Sequence, residues 1–181
     1  MASEKQTLWP SRQREHVRGR LLEAAAALLA AGEAISIGTV AKAAGVSKGA
    51  VQYHFGTREQ LISALNDVYL RDFEEGLSAA DESAPPALQY ARLWLNAPTD
   101  ADTKRWRGQL VANMLEPNVA ARWRERVKVE RAKDGVSNAH ALLVRLAADG
   151  LWLSDLVDTY EISPSERKQI EQLMIELLNH P

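Results

Sequence analysis

The stretch Thr39–Glu59 reads TVAKAAGVSKGAVQYHFGTRE and decides the fold. It has the pattern of a short helix, a glycine turn, a second short helix that stops at an aromatic residue, and a new helix start. The spacing of Ala41, Gly45 and Val51 suits two helices packed at a corner, since a small residue lets them touch, glycine accepts a left-handed turn and valine seals the pair. Ser47 can cap the second helix through its hydroxyl. The sequence therefore predicts a helix-turn-helix.

The second short helix of this motif has an inner and an outer face. Val40, Ala44 and Val46 complete the apolar inner side of the corner. The remaining residues of the second helix look outward: Lys48, Gly49, Gln52, Tyr53 and His54. A short helix with a free polar face near its N-terminal half can enter a DNA major groove.

The longer run IGTVAKAAGVSKGAVQYHF, followed by TREQLISAL, resembles the DNA-binding domain of the TetR family of transcriptional regulators. The resemblance covers about Arg14 to Leu65; beyond about residue 80 it concerns architecture only. The chain departs from the family at Leu28 and Leu29, where phenylalanine is frequent, and at Gln52, where an aromatic residue is frequent. The departure at Gln52 bears on which bases are read.

The resemblance implies an all-α fold, in which an N-terminal three-helix helix-turn-helix domain is joined by a long fourth helix to a C-terminal helical ligand-binding and dimerisation domain. We expect the DNA-binding domain over residues 1–56, ordered from about residue 11 with the helix-turn-helix at 37–55, and the effector-binding and dimerisation domain over 57–181. The segment SAADESAPP at 78–86 is linker-like, and its composition also suits a domain boundary inside or just before it.

Apolar periodicity and capping signals predict helices throughout the chain and no strand. Helix one should run from Ser11 or Arg12 to Ala31, where Gly32 ends it. Capping signals also mark Thr57 and Ser163 as helix starts. The further helices are expected at about 37–44, 48–53, 57–77, 87–96, 100–115, 118–133, 137–158 and 164–179.

The charge distribution favours a nucleic-acid contact at the N-terminal end. The whole chain of 181 residues has a net charge of −2, but residues 1–56 contain seven Lys or Arg against four Glu, an excess of three positive charges. The basic excess thus coincides with the helix-turn-helix. A chance imbalance is the alternative interpretation.

Besides His54, five side chains are candidates for contacts with the DNA backbone. The hydroxyls of Thr39 and Ser47 can bond phosphate oxygens, and the first N–H groups of the second short helix can do the same. Lys48 and Arg58 supply positive charge, although both would also be ordinary as surface residues. The resemblance implies that the Tyr53 hydroxyl contacts a phosphate, whereas the residue alone would equally suit a core position.

Base recognition is assigned to the same short helix. The amide of Gln52 can pair with N6 and N7 of adenine, unless it is merely solvated. Gly49 and Ala50 permit close approach, and the Ala50 methyl can meet a thymine methyl. His54 is expected on a phosphate or packed at the helix end.

A homodimer is expected, because one such module buries too little surface to select a site in a genome. The last two long helices are the candidate interface, as a four-helix bundle with their two-fold mates. The alternative is that their apolar stripes serve one internal core. The candidate residues are Leu143, Ala147, Gly150, Leu151, Ile170, Met174 and Leu177.

An effector pocket is expected in the middle of the chain for an unknown small molecule, apolar or aromatic, because aromatic side chains from several helices often line such cavities. An ordinary aromatic core is the alternative. The charged run of helix 118–133 is typical of a solvated face, unless one arginine turns inward to meet an anion. The candidate ligand-binding residues are Tyr90, Trp94, Trp106, Leu110, Met114 and Trp123.

The sequence favours a DNA-binding regulator, a ligand-responsive repressor on a near-palindromic operator, over the other classes. The chain has no cysteine, which excludes thiolate zinc sites, disulfides and a cysteine nucleophile, and its four histidines lie apart. We therefore expect no enzyme activity, no metal and no cofactor. An N-terminus without a signal peptide and the absence of a long apolar run predict a cytoplasmic protein with no membrane contact. A helical adaptor without specific DNA binding is the alternative.

Overall fold

The computed structural model describes residues 4–96, 98–136 and 138–179, and these residues form nine α-helices without a strand, as the sequence predicts. The helices are α1 Glu4–Ala30, α2 Ile37–Ala44, α3 Lys48–Phe55, α4 Arg58–Ser78, α5 Pro86–Leu95, α6 Asp100–Leu115, α7 Pro117–Ala132, α8 Ala139–Val157 and α9 Pro164–Asn179. Helices α1 to α3 form the helix-turn-helix end, and α5 to α9 form the larger helical part. Helix α4 joins the two.

Side-chain caps fix most of these helix starts. Ser47 accepts a bond from the Ala50 N–H at 3.1 Å, and the Thr57 hydroxyl accepts one from the Gln60 N–H at 3.2 Å. Ser163 caps α9 in the same way, and its own N–H donates a bond to the Glu166 carboxylate three residues later. These three predicted starts are confirmed, and they show that the boundaries follow from local hydrogen bonds.

Two helix starts differ from the prediction by more than one residue. Helix α1 begins at Glu4 rather than at Ser11 or Arg12, because the residues before Ser11 include good helix formers, whereas the apolar period that guided the prediction begins only at Val17. Helix α8 begins at Ala139 rather than at residue 137. Asn138 caps it by accepting a bond from the Ala141 N–H at 2.9 Å.

Two hydrophobic cores meet at α4. The N-terminal core joins α1 to α4 and also takes in Ala112 and Val119 from α6 and α7, so the helix-turn-helix packs directly onto the larger part. The C-terminal core is built from α5, α8 and α9, with Phe73 of α4 at its edge. Tyr69 and Phe73, each 1% exposed, place one helix turn of α4 in each core. A displacement of α4 would therefore disturb the packing of both cores.

Ion pairs also fasten α4 to the helices behind it. Arg122 of α7 lies 2.5 Å from Asp67, and Arg126 lies 2.9 Å from Glu74. Asp72 of α4 pairs with an arginine of α6. The charged run of α7 is thus only partly the solvated face that its composition predicts, because two of its arginines pair with carboxylates of α4.

Two buried ion pairs hold the C-terminal part together. Arg145 of α8 and Asp134 lie 2.5 Å apart with side chains only 5% exposed each, and Arg145 also donates to the Glu130 carbonyl at 3.0 Å. Arg167 of α9 pairs with Asp155 and donates to the carbonyl of a residue in α5. Both arginines are therefore structural side chains that link helices.

Across the residues that the structure describes, no helix combines the length and the apolar character needed to cross a membrane.

Candidate DNA interface and effector cavity

The corner between α2 and α3 has the geometry that the sequence predicts. Gly45 adopts the left-handed conformation, with φ 67° and ψ 37°, which costs a residue without Cβ little. Val40 and Val51 are fully buried, and Ala41 is 3% exposed. Arg20 of α1 donates to the Ala44 carbonyl at 2.6 Å, a contact that satisfies the C-terminal end of α2. The pair of short helices is thus held rigidly against α1.

The outer face of α3 is free in the protomer. Gln52 is exposed, and Tyr53 is 71% exposed. The alternative in which Tyr53 is a core residue is therefore excluded. Phe55, in contrast, is buried at 4%, with the guanidinium of Arg18 stacked 4.6 Å from its ring centre. His54 is half-buried and lies edge-on to the Tyr53 ring. The exposed groups are polar and lie on one short, capped helix.

The side chain of Lys48 places a positive charge beside the outer face of α3. A Cβ built on Gly38 would lie 3.2 Å from Cε and 3.6 Å from Nζ of Lys48, so the Lys48 stem crosses the first turn of α2. The ammonium group therefore lies beside a helix N-terminus, whose free N–H groups also attract anions. Gly49 is exposed and Ala50 is half-buried along the same edge. This arrangement can receive a phosphate.

Thr39 and Ser47 have their side chains engaged in helix caps. The Thr39 hydroxyl donates to the Ala34 carbonyl at 3.0 Å and accepts from the Ser36 N–H at 2.9 Å. The Ser47 oxygen accepts from Ala50, so its own hydroxyl hydrogen is still available to an outside acceptor. For Thr39, a phosphate would have to replace the carbonyl that its hydroxyl now binds.

Arg58 requires a correction, because the structure gives it a different partner from the DNA backbone. Its Nε donates to the Ile35 carbonyl at 2.9 Å, and its guanidinium forms a two-pronged pair with the Glu116 carboxylate at the junction of α6 and α7. The guanidinium of Arg58 thus ties the α1–α2 loop and the start of α4 to the larger part. The sequence could not indicate this role, since Glu116 lies 58 residues away.

A cavity of about 490 Å³, partly open to solvent, lies between α5, α6, α7 and α8, and we call it the aromatic cavity. Its size is ordinary for a small-molecule site. Four aromatic residues, four aliphatic residues and three polar residues from α5, α6, α7 and α8 line it: Tyr90, Trp94, Trp123, Trp152, Leu110, Ala120, Val127, Leu153, Asn113, Arg124 and Asp149. A smaller adjoining cavity shares Trp94 and Trp152 and also contains Trp106.

The polar groups of the aromatic cavity are few and specific. The Tyr90 hydroxyl donates to the Asp149 carboxylate, and burial raises the pKa of Asp149 although Tyr90 and Arg145 act against that rise. Burial is also the main cause of the raised pKa of Tyr90. Among the described residues, the buried indole N–H of Trp152 has no acceptor, whereas the indole N–H of Trp94 is directed at the Tyr90 hydroxyl. A ligand would meet the Asp149 carboxylate, the Arg124 guanidinium, the Asn113 amide and one unpaired indole N–H between aromatic rings.

An amide chain leads from this cavity to α4. Asn113 lines the cavity, and its side-chain oxygen accepts a hydrogen bond from the amide nitrogen of Gln109 at 3.4 Å. The same nitrogen donates to the side-chain oxygen of Asn66, also at 3.4 Å. Gln109 is fully buried and Asn66 is 1% exposed. A ligand that displaces Asn113 would disturb a buried contact between α6 and α4.

The structure brings together five of the six predicted ligand-binding residues. Tyr90, Trp94, Leu110 and Trp123 line the aromatic cavity, and Trp106 lines the adjoining one. Met114 lies elsewhere: it is 76% exposed near the end of α6 and lines neither cavity. Sequence reasoning missed Asp149 and Asn113 because a single polar residue within an apolar helix carries no sequence signal of facing a cavity.

The predicted dimer-interface residues divide into two groups. Leu143 is 54% exposed, Ala147 and Gly150 are exposed, and Ile170 and Leu177 are half-buried. Leu151 and Met174 are 5% and 4% exposed, a correction to the prediction, because both belong to the protomer's own C-terminal core. Four further apolar residues of these helices are exposed: Leu146, Leu153, Val157 and Leu173.

Comparison with known families matches both ends of the chain. Residues 21–65 match the model described as "Bacterial regulatory proteins, tetR family", and residues 87–179 match "Tetracyclin repressor-like, C-terminal domain". No curated protein matches the chain.

Solved structures with the same fold include regulators and ligand complexes. The multidrug binding protein EbrR complexed with malachite green is 26% identical, with 88% of this chain and 96% of that chain covered and a TM-score of 0.67. A TetR family member from Streptomyces coelicolor A3, SCO1917, is 24% identical over 89% and 97% of the two chains, with a TM-score of 0.67. EbrR complexed with ethidium is 24% identical over 89% and 97%, with a TM-score of 0.60.

Proposed function

The chain belongs to the TetR family of bacterial regulatory proteins, and from this premise we propose that it is a ligand-responsive repressor that binds a near-palindromic operator as a homodimer. It is a DNA-binding transcriptional regulator with a helix-turn-helix and a C-terminal ligand-binding domain. The proposal assigns DNA binding to residues 1–56 and effector binding and dimerisation to 57–181. The observation that carries it is the free polar face of α3, presented from a rigid corner beside the Lys48 ammonium group.

Dimerisation would use the exposed apolar stripe of α8 together with α9. Leu143, Leu146, Ala147, Gly150 and Val157 recur at intervals that place them on one side of α8. Leucines and valines more than 40% exposed are unusual in such a run, and a contiguous apolar patch favours a protein interface. Two such helices from each protomer would form a four-helix bundle about a two-fold axis. The two α3 helices would then face successive major grooves.

Gln52 is assigned to base readout, because it is exposed on α3 and its amide can pair with adenine. Replacing Gln52 by alanine is expected to relax base preference at one position in each half-site, at a cost of about 1–3 kcal/mol for the preferred base there. The purified protein is first used to select operator fragments from genomic DNA, and every base of one half-site is then varied. Fluorescence anisotropy measures the affinity of both proteins for each variant fragment. An equal loss of affinity on every sequence would refute the readout role.

Lys48→Ala is the comparison for Gln52→Ala on the same helix, because the ammonium group of Lys48 is assigned to a contact with the DNA backbone and not with a base. It should weaken binding almost evenly across sequences and reduce the slope of log affinity against log salt by about one. An unchanged slope would remove Lys48 from the phosphate contacts. Binding by the unmodified protein that does not respond to salt at all would instead favour the helical adaptor.

The effector is proposed to be an aromatic molecule with a positive charge. The aromatic cavity offers ring faces, and its charged lining residues are Asp149 and Arg124; Asp149, which is hydrogen-bonded to Tyr90 between the rings, is the group that would meet a cation. The EbrR structures contain malachite green and ethidium, and their fold is shared by this chain. A cation placed between aromatic rings and opposite a partly buried carboxylate gains from both contacts.

Ethidium tests this assignment. Asp149→Asn should weaken ethidium binding by about tenfold or more, because a charge-assisted contact in a largely buried site is lost. Since burial raises the pKa of Asp149, its carboxylate takes up a proton at a higher pH than usual, and ethidium affinity should fall as the pH is lowered through that range. This dependence should be absent in Asp149→Asn. Asp158→Asn, at the exposed end of α8, is the control for the same chemical change.

Release from DNA would follow if the effector favours a dimer with a different spacing of the α3 helices. The amide chain through Gln109 and the ion pairs on α4 supply physical contacts through which a change at the cavity moves α4. To shift the population from 1:99 to 99:1, the effector must prefer the non-binding state by about 5.5 kcal/mol. Because ethidium itself intercalates between DNA base pairs, this coupling is measured by titrating malachite green into the protein–operator complex, with Asp149→Asn as the control for any direct effect of the dye on the DNA.

A further inference from the structure

A second, larger cavity of about 780 Å³ lies between α1 of the helix-turn-helix part and helices α4 and α6. We call it the α1–α6 cavity. It shares no lining residue with the aromatic cavity. Its walls are mostly apolar and are formed by small or aliphatic side chains: Leu22, Ala26, Ala27, Ala30, Leu65 and Val68. An apolar chain could lie along these walls without displacing a protein side chain.

The charged residues of the α1–α6 cavity are unequal in sign. Lys104, Arg105 and Arg107 line it against one carboxylate, Glu23. Arg105 is paired with Asp72 of α4, and Arg107 donates to the carbonyl of a residue at the end of α8 at 3.0 Å. Both guanidinium groups are held in place, and Lys104 adds a further positive charge on the same helix. The cavity therefore favours an anionic group over a cationic one.

A buried hydroxyl without a partner forms part of the same wall. Tyr69 is 1% exposed, lines the cavity, and its hydroxyl has no hydrogen-bond partner among the described residues. A Cβ built on Gly108 would lie 2.9 Å from this hydroxyl and 3.2 Å from the Ala26 carbonyl, so the absence of a side chain at Gly108 makes room for it between α1 and α6. Buried polar groups are nearly always hydrogen-bonded, and an exception calls for an explanation.

The state of the Tyr69 hydroxyl suits a donor. Burial raises the pKa of Tyr69 to about 12, although the nearby Arg105 guanidinium acts in the opposite direction. The hydroxyl therefore keeps its proton at neutral pH and can donate it to a carboxylate oxygen. An acceptor that arrives with a ligand would satisfy a group that the protein itself leaves unpaired.

We propose that the α1–α6 cavity is a second ligand site, which takes an amphipathic carboxylate: its apolar chain lies against the alanines and leucines of α1 and α4, and its carboxylate accepts a hydrogen bond from the Tyr69 hydroxyl, with Lys104 supplying the compensating charge. The site goes beyond the proposed aromatic effector in both place and chemistry. A ligand bound there contacts α1 and α6 together and so stabilises one arrangement of the DNA-binding part on the larger part.

Decanoate is the probe, and 1-decanol is its neutral counterpart with the same chain. Isothermal titration of the full-length protein should show saturable decanoate binding that is at least about tenfold tighter than decanol binding. Tyr69→Phe should weaken decanoate binding by about tenfold while leaving the melting temperature of the ligand-free protein unchanged or higher, because the hydroxyl that it removes has no partner.

Three further variants locate the ligand. Ala27→Phe fills the cavity from an exposed position of α1 and should abolish decanoate binding. Lys104→Gln should weaken decanoate binding, whereas Lys128→Gln, the same charge change on α7 away from this cavity, should not. Ethidium and operator binding should survive in Tyr69→Phe, so a failure of this proposal is distinguishable from a failure of the proposed repressor.

Several outcomes would overturn the second site. No saturable decanoate binding by the unmodified protein would do so, as would undiminished binding in Tyr69→Phe or Ala27→Phe. Decanoate binding that is lost in Asp149→Asn but kept in Tyr69→Phe would place the ligand in the aromatic cavity instead. A lower melting temperature of ligand-free Tyr69→Phe would show that the hydroxyl already has a structural partner.

Discussion

Replacing both Leu143 and Leu146 by glutamate is expected to produce a folded monomer that binds a two-half-site operator at least about a thousandfold more weakly. These leucines are 54% and 57% exposed in the protomer, so its own core tolerates the change. In a two-fold dimer, four carboxylates would instead be placed in one apolar interface, where unpaired charge is costly. Without the dimer, only one helix-turn-helix module is held on the DNA at a time.

Sedimentation velocity measures the loss of the dimer, and fluorescence anisotropy at fixed salt measures the loss of operator affinity. The double variant Met114→Glu/Leu115→Glu is the control, because these residues of α6 are also exposed, at 76% and 67%. It should remain dimeric and bind the operator normally. A dimer that persists in the α8 variant, or that is lost only in the α6 variant, would place the interface elsewhere on the protomer.

Asp134→Ala is expected to lower the free energy of unfolding by about 3–5 kcal/mol, the typical cost of breaking a buried ion pair. The guanidinium of Arg145 is buried with this carboxylate and packs 4.8 Å from the ring centre of Tyr90. Removal of the carboxylate leaves a buried positive charge whose remaining bond is to the Glu130 carbonyl. Urea unfolding, followed by circular dichroism at neutral pH, measures the change.

Two comparisons separate this cost from a general effect of losing a charge. Glu125→Ala removes one partner of an exposed pair with Lys128, and such pairs contribute little, so a change of less than about 1 kcal/mol is expected. The double variant Arg145→Met/Asp134→Leu removes both charges and should recover much of the stability lost in Asp134→Ala. A double variant as unstable as Asp134→Ala would show that packing, rather than the unpaired charge, accounts for the loss.

In the ligand-binding part, residue type alone predicted most of the cavity-lining residues but not all of them. Tryptophans and tyrosines on several helices predicted an aromatic cavity, and five of the six named residues do lie around the two adjoining cavities. Met114 does not, since it is rotated to the outside of α6 by the packing of Gln109 and Ala112 on the inner side. A difference of a few residues along one helix decides whether a side chain faces a cavity or water.

The sequence by itself determined the capped helix starts after Ser47, Thr57 and Ser163, the glycine corner and the identity of the polar face on α3. Those features depend on hydrogen bonds and turns among residues a few positions apart, such as Ser47 with Ala50 or Gly45 with its neighbours. Only the tertiary structure decided that Arg58 binds Glu116, that Leu151 is core while Leu146 is exposed, and that Asp149 faces a cavity. Helix α8 has apolar residues on several sides, so the side that is buried depends on helices far along the chain. The local sequence of α8 does not indicate which side those helices cover.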